Sequence, residues 1–548
     1  MSTLRAPLLV LRNREIFRVE LSWAASSVAN WAFFVVLAVY AYEVGGAGAV
    51  GLATFVRMLP AAIGAPATAL LADRHSRRGV LVVSHAVRAI SVAAIALAVL
   101  GSLPLAAVLV LAAIQTVAAT AERPAMASLL PTLARSPVEL AAANIAVSAI
   151  DAGGFMLGSL AGGLLAALLS TQSGFAATAA CFQAAALIAA LVARDPVPEH
   201  REMAGAHIGR EALSGLRNIR ARAELRLLFG LVAATTFVQG MVDVLVVAAA
   251  LGLLGLGNAG VGYLNSAWGV GGVLGAVGAL AMLGRGRLAP GLDLGCVLVG
   301  SALIGVAAVP AAGTAIVLLA VLGTGYALIE VASRTLLQRL VSDEMLARVF
   351  GVFESSYFAT EGLGALASPL LIRALGVRGA MLVVGSLLPL LALAQWSRLA
   401  RYETAAPVPE REFNLLRRIS LFAPLPLATV ENLARRVTGV RFASGETIVR
   451  EGEPGNSFYV LADGEVQVTV AGAWRRNASA GDFFGEIALL REIPRTATVT
   501  AVAPTTVLEL PREAFISALS GYPKSVQAAD RVIGTRLDGS GRKDQPTE

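Results

Sequence analysis

The fold class predicted by this sequence is an α-helical membrane protein with twelve transmembrane helices in two six-helix halves, followed by a soluble β-roll domain with flanking helices. Three observations predict it. Hydrophobic residues make up 56% of the 548-residue chain and charged residues 15%, with a mean hydropathy of +0.71, whereas soluble domains carry about 25% charge. That apolar excess is more than a soluble core needs, so much of the chain must face lipid. Apolar runs of about twenty residues recur six times on each side of a polar stretch near residue 200, and beyond residue 402 the apolar period shortens to two.

The first six spans are read at 18–43, 48–72, 80–101, 104–122, 138–169 and 173–193, and the second six at 225–251, 258–284, 292–310, 312–333, 346–373 and 379–400. The first is too long for a removable signal peptide and lacks its small-residue cleavage site. Arginine sets the orientation, because the only lysines are Lys524 and Lys543. With the N-terminus inside, the inner segments hold nearly all the arginines of the membrane half, and the outer loops hold Arg373 and Arg378. The positive-inside rule then places both termini, and everything after residue 402, in the cytoplasm of a multi-pass protein of the plasma (inner) membrane. These charges sit where topology requires them, which argues against a nucleic-acid partner.

The predicted organisation is an N-terminal half (1–193), a cytoplasmic linker helix (194–224), a C-terminal half (225–402), a short linker (403–412), the soluble domain (413–536) and a disordered tail (537–548). Residues 194–226 end in an amphipathic pattern, Leu213, Leu216 and Ile219, that reads as a helix at the inner interface. Cys181 and Cys296 lie far apart in apolar runs, and the four histidines show no ligand spacing. Neither a disulfide framework nor a metal site is expected. Gly255, Gly257 and Gly260 match a dinucleotide fingerprint, but no strand precedes them.

Six spans plus six around a polar middle suggest an internal duplication. Basic inner loops followed by acidic helix starts stand at corresponding places, around residues 130–141 and 337–347. The loop after the second span reads Ala69–Leu70–Leu71–Ala72–Asp73–Arg74–His75–Ser76–Arg77–Arg78. It resembles the signature loop of the major facilitator superfamily, with alanine and serine where that pattern has glycine. The resemblance implies that Asp73, Arg74 and Arg77 form a latch in the outward-open state; otherwise they serve as topology-setting charges. Gly154, Gly158, Gly162 and Gly163 in the fifth span are similar to the antiporter motif of the superfamily's exporters, with Ser159 at its usual proline. Glycines four apart also serve plain helix packing. The first 402 residues most resemble the enterobactin-exporter-like branch. What this implies is a secondary transporter of a small-molecule substrate.

Charges inside the spans are costly, about 2.5–3.5 kcal/mol each at the centre of an inserted helix. Arg57, Arg88, Asp151, Asp243, Glu354 and Glu361 are therefore the candidates for a proton or substrate pathway, with Asp151, Asp243 and Glu361 deepest in their runs. The other reading is structural ion pairing. Glu20, Glu43, Glu330 and Asp293 are expected near the interfaces, in contact with solvent.

In the soluble part, a helical pattern from Phe413 gives way near residue 438 to short strands separated by glycines. Asp463–Gly464 reads as a hairpin turn. After Pro511 the helical pattern returns. Within the strands sits Gly481–Asp482–Phe483–Phe484–Gly485–Glu486–Ile487–Ala488–Leu489–Leu490, then Pro494–Arg495–Thr496–Ala497. Gly485 permits a tight entry to a short helical turn whose free amides suit a phosphate. Arg495 can neutralise that phosphate, and Glu486 can accept from a sugar hydroxyl. The stretch resembles the phosphate-binding cassette of cyclic nucleotide-binding domains. The resemblance implies that Arg495 holds the cyclic phosphate, Glu486 the ribose 2′-hydroxyl, and Gly485, Ile487 and Ala488 supply amides. Phe484 and Thr496 flank the site, and Val532 and Ile533 of the final helix would cover the base.

Together these resemblances imply a proton-coupled exporter regulated by a cytoplasmic cyclic nucleotide, cAMP favoured over cGMP, with no cofactor. The alternative is a non-transporting cyclic nucleotide receptor anchored by a transporter-like membrane domain. A channel is disfavoured because no carbonyl-filter loop such as Thr-Val-Gly-Tyr-Gly occurs. An enzyme is not expected, since the roll offers no nucleophile–base pair.

Overall fold

Two units divide the chain, Met1–Glu403 and Thr404–Glu548. The computed structural model describes residues 13–134, 137–193, 216–217, 219–283, 289–341, 343–404, 409–425, 427–491 and 493–520, together with Ser525, Ala528, Arg531 and Gly534. Of the linker helix expected at 194–224, residues 194–215 lie outside the described residues. Ile219 lies in the large apolar cluster with Leu225 and Leu228.

The regular elements among the described residues of the first unit are all helices, which bond their backbone groups internally as a lipid-facing chain requires. Its elements are α1 (Arg14–Arg74), α2 (Arg77–Leu100), α3 (Leu105–Ala119), α4 (Glu122–Leu133), α5 (Pro137–Leu168) and α6 (Thr171–Ala190). They are followed by α7 (Ala223–Ala248), α8 (Gly257–Leu283), α9 (Ala289–Ala308), α10 (Ala312–Leu340) and α11 (Asp343–Thr404). A π-turn, Ala249–Leu253, extends α7. Among the described residues, nine helices are long and apolar enough to cross a membrane. Two of these are 51 and 47 residues long. The parent helices are broken by non-helical glycines, α1 at Gly45–Gly46 and α11 at Gly376.

The two halves meet closely at the end of the bundle that carries the Gly45–Gly46 break. Asn258 of α8 donates to Glu43 at 3.0 Å, and a Cβ on Gly163 of α5 would stand 2.7 Å from Gly262 of α8. Gly51 of α1 abuts the Ala365 carbonyl of α11, and Gly240 of α7 abuts that of Glu361. Gly240→Ala is therefore expected to push α7 off α11 and cost about 1–3 kcal/mol, as overpacking does. Gly230→Ala, whose Cβ would meet nothing within 4 Å, should be neutral. Thermal unfolding of the purified protein in detergent checks the pair.

The second unit opens with α12 (Glu410–Arg418) and α13 (Leu427–Arg436) and then forms eight strands: β1 (Thr438–Phe442), β2 (Thr447–Val449), β3 (Ser457–Asp463), β4 (Glu465–Val470), β5 (Ala473–Ser479), β6 (Phe483–Phe484), β7 (Thr498–Ala501) and β8 (Thr505–Pro511). A short helix, α14 (Glu486–Arg491), lies between β6 and β7, and α15 (Arg512–Ser520) follows β8. The strands make two four-stranded antiparallel sheets, ordered β1-β8-β3-β6 and β2-β7-β4-β5. Phe422, Phe458 and Phe515 pack the helices onto the first sheet.

The hairpin expected at Asp463–Gly464 does not form. β3 and β4 belong to different sheets, and Gly464, at φ +93°, is the corner between them. The Glu465 carbonyl there accepts from Val502 and from the Thr505 hydroxyl, which ties the corner to the β7–β8 turn. The two-residue hairpin lies one strand later, at Ala471–Gly472, where both residues have positive φ and join β4 to β5, as such turns require.

Candidate functional site

In the membrane unit, three of the six intramembrane candidates come together. Asp243 on α7 and Glu361 on α11 act on one another, and both act electrostatically on Arg57 of α1. All three are buried. Arg57 is held by Thr116, which accepts from its Nε at 3.1 Å, and by the rings of Phe33 and Phe34 at 5.4 and 5.5 Å. The close Gly240–Glu361 crossing of α7 and α11 brings the two acids side by side.

The other three candidates are each paired elsewhere. Arg88 of α2 binds both oxygens of Glu122 at 2.7 and 2.8 Å and lies 4.1 Å over Phe182. Glu122 also accepts from Ser26 and Ser84, and its Oε1 lies 3.1 Å from His85 Nδ1. Asp151 is only half-buried; it accepts from Trp23 Nε1 and from Arg123, each at 2.9 Å. Glu354 pairs with Arg334 at 2.9 Å.

Sequence reasoning ranked Asp151 among the deepest acids and overlooked Glu122, which is 2% exposed. Glu122 stands just past the α3–α4 break, beside Arg123. A partner for Arg88 at matching depth was the signal that would have found it. Glu20 and Asp293, expected in contact with solvent, are also buried, whereas Glu43 and Glu330 are exposed.

The glycine stripe of α5 faces two helices. Gly154, Gly158 and Gly162 pack on Ser27, Val28 and Ala32 of α1, and Gly163 packs on α8. Of the proposed latch, the side chains of Asp73 and Arg74 lie outside the described residues. Arg77 opens α2, whose first turn is capped by Ser76 accepting from Gly79 at 3.2 Å.

In the roll, Gly485 sits between β6 and α14 at φ +92°, a conformation that disfavours side chains. Arg495, 7% exposed, reaches back to this turn. Its guanidinium donates to the carbonyls of Gly485 at 3.0 Å and Ser457 at 2.6 Å and lies 5.6 Å over the Tyr459 ring. Burial pulls this guanidinium below its ordinary value, while Tyr459, Glu486 and Glu509 oppose the shift. The same burial raises the Tyr459 hydroxyl, helped by Glu509. Glu486 and Ala488 are buried, Phe484 packs face-on against Tyr459 at 5.3 Å, and Ile487 and Thr496 are half-buried. Ser457, Tyr459 and Glu509 are partners that the motif alone did not reveal. Val532 and Ile533 lie outside the described residues.

This arrangement presents a buried, fork-shaped cation whose acceptors are neutral carbonyls, beside a short helix start and a buried carboxylate. An anion entering here would gain charge-assisted bonds that the carbonyls do not supply. A Cβ on Gly485 would stand 2.6 Å from Arg495 Nη1 and 3.0 Å from the Ser457 carbonyl. Gly485→Ala therefore displaces the arginine as well as straining the backbone, and is expected to weaken cyclic-nucleotide binding at least tenfold by calorimetric titration.

A multi-helix membrane body joined to a β-roll defines the class, a membrane protein with an attached β-roll domain. The family model described as Major Facilitator Superfamily matches residues 21–360, more than half of the chain, and the chain belongs to that family. The model described as Cyclic nucleotide-binding domain matches residues 439–522. Among curated proteins, the chain is similar to the cAMP-dependent protein kinase regulatory subunits of Dictyostelium discoideum (36% identical, 18% of this chain and 33% of that one) and Hypocrea atroviridis (32%, 22% and 26%). It thus spans about a third or less of the length of these relatives. A solved structure of the regulatory domain of Toxoplasma gondii PKA with cAMP is 25% identical over 24% of this chain and 51% of that chain, at TM-score 0.21.

Proposed function

We propose that this protein is a proton-coupled secondary transporter that exports a small molecule across the plasma (inner) membrane and is regulated by a cytoplasmic cyclic nucleotide, cAMP before cGMP. The observation that carries this reading is the Asp243–Glu361 contact beside Arg57. Two ionised carboxylates set together repel, so the pair would hold one proton between them. With that proton the pair balances Arg57, and without it the bundle interior carries a net negative charge. Arg57 belongs to the first half of the unit and both acids to the second, so proton loss alters the attraction between halves. A transporter needs such a differential interaction to bias one state over another.

Export is supported by the likeness of the Gly154–Gly163 stripe to the exporters' motif and by its packing on both α1 and α8. Cytoplasmic termini are supported by the arginine distribution. The preference for cAMP is supported by the named relatives and by the paired presence of Arg495 and Glu486. A coupling of about 1–3 kcal/mol between the nucleotide and the transport equilibrium would suffice for regulation.

Infrared difference spectroscopy of the full-length protein at neutral pH tests the proton carrier. A protonated-carboxyl band is expected in the wild type and should vanish both in Asp243→Asn and in Glu361→Gln. A wild type without the band would remove the proton from the reading.

A further inference from the structure

The inner face of the roll carries an acid where its strand pattern calls for an apolar residue. Val507 of β8 belongs to the apolar cluster that draws on both sheets, with Leu461, Val466 and Phe484. Side chains alternate along a strand, so Glu509, two residues on, takes the same face. It lies directly opposite Tyr459 of β3, which in turn lies opposite Phe484 of β6. Its Oε1 accepts from the Ser457 hydroxyl at 2.6 Å and from the Tyr459 hydroxyl at 3.4 Å. Both donors belong to residues that also hold Arg495, Ser457 through its carbonyl at 2.6 Å and Tyr459 through its ring at 5.6 Å. Ser457 and Tyr459 therefore bridge the carboxylate to the guanidinium, on which Glu509 and Glu486 both act electrostatically. Arg495 is fixed by other contacts as well. Its backbone N–H donates to the Glu453 carbonyl at 2.9 Å, its carbonyl accepts from Gly452 at 2.8 Å, and Gly455 abuts its side chain. What Glu509 adds is a negative charge behind the cation.

We propose that Glu509 is a specificity residue of the nucleotide site, which favours a singly charged phosphodiester over doubly charged phosphomonoesters such as AMP. The inference deepens the cyclic-nucleotide reading and rests on it. A cyclic phosphate carries one negative charge, whereas a phosphomonoester, whose second pKa is about 6, carries about −1.5 to −2 at neutral pH. Attraction to a lone arginine grows with the charge of the ligand, so Arg495 by itself would prefer the monoester. Repulsion by a fixed carboxylate grows in the same proportion, and Glu509 offsets that preference. Its position on the inner face of the roll leaves the repulsion less screened than at the surface. The factor by which Glu509 weakens a dianion is therefore about the square of the factor by which it weakens a cyclic phosphate. Glu486 does not separate the two ligands through its bond to the ribose, because AMP carries the same 2′-hydroxyl.

Titration calorimetry of the purified full-length protein measures cAMP, and displacement of bound cAMP measures AMP. Glu509→Gln keeps the shape and the acceptor for Ser457 and removes the charge. It is expected to bind cAMP about threefold tighter and AMP about tenfold tighter, so that the AMP-to-cAMP ratio of Kd values falls about threefold. Glu509→Met, which suits the apolar face, should lower the ratio likewise and carries the test if the first variant misfolds. Glu509→Asp keeps the charge and should hold the ratio near that of the wild type. A structural role would change both ligands by one factor and leave the ratio where it was. An unchanged ratio in Glu509→Gln, a ratio that falls equally in Glu509→Asp, or failure of AMP to displace cAMP from Glu509→Gln at about a thousandfold excess overturns the assignment, while the nucleotide site stands. If neither the wild type nor Glu509→Gln binds cAMP, the nucleotide site falls and the assignment falls with it.

Discussion

Arg495→Ala is expected to weaken cAMP binding by about 30-fold to several thousand-fold. Truncating one partner of a buried, charge-assisted contact costs about 2–5 kcal/mol, and each 1.4 kcal/mol is a factor of ten. The site gives reason to expect the full range. The guanidinium is 7% exposed and donates to carbonyls of two different strand ends, Gly485 and Ser457. It is thus already aimed at the turn that would receive the phosphate, and little reordering is needed on binding. Arg495→Lys keeps the charge but loses the fork, so it should fall between the two. Titration calorimetry on the full-length protein measures the affinities. Thermal unfolding adds an independent reading, because a ligand at a hundred times its Kd stabilises by about 2.7 kcal/mol. That shift should appear in the wild type and fall to about 0.9 kcal/mol or less in Arg495→Ala at the same cAMP concentration. Equal affinities would remove the arginine from the nucleotide site.

Much of this molecule is legible in its sequence because the bilayer enforces long, continuous signals. Runs of apolar residues become helices whichever neighbours they meet. The local geometry of the Gly485–Arg495 stretch was also legible: a turn, a helix start and a returning arginine within about ten residues. Pairings between distant segments were less accessible. Asp463–Gly464 carries a hairpin dipeptide, yet the strands it joins bond to β8 and to β7 instead of to each other. Dipeptide chemistry defines a turn but not the sheet each strand enters. Likewise, depth within a run ranked Asp151 beside Asp243 and Glu361. Depth along one helix says nothing of the face presented, and Asp151 turns toward an exposed arginine while the other two turn toward each other.

The contrast between Glu122 and Asp151 yields the second large effect. Glu122→Ala should destabilise the membrane unit by about 3–5 kcal/mol, because it leaves Arg88 as a buried charge without its counter-ion. Arg88 is 1% exposed, and its remaining contacts, Ser26, Asn30 and the Phe182 ring, are neutral. Asp151→Asn should cost about 0–1 kcal/mol, since Arg123 is largely exposed and water can replace the lost partner. The double substitution Arg88→Met with Glu122→Leu separates charge from packing. Replacing both members of a buried pair by apolar groups of similar size is often neutral or stabilising, so the double variant should recover most of what the single one loses. Denaturant titration of the purified protein in detergent, followed by tryptophan fluorescence, reads all three. If the double variant is as unstable as Glu122→Ala, the contribution of Glu122 comes from its bonds to Ser26, Ser84 and His85 and not from its charge. If Asp151→Asn equals Glu122→Ala, burial is not what distinguishes the two acids. The expected order places the Arg88–Glu122 pair in the scaffold of the first half, apart from the cluster of Asp243, Glu361 and Arg57.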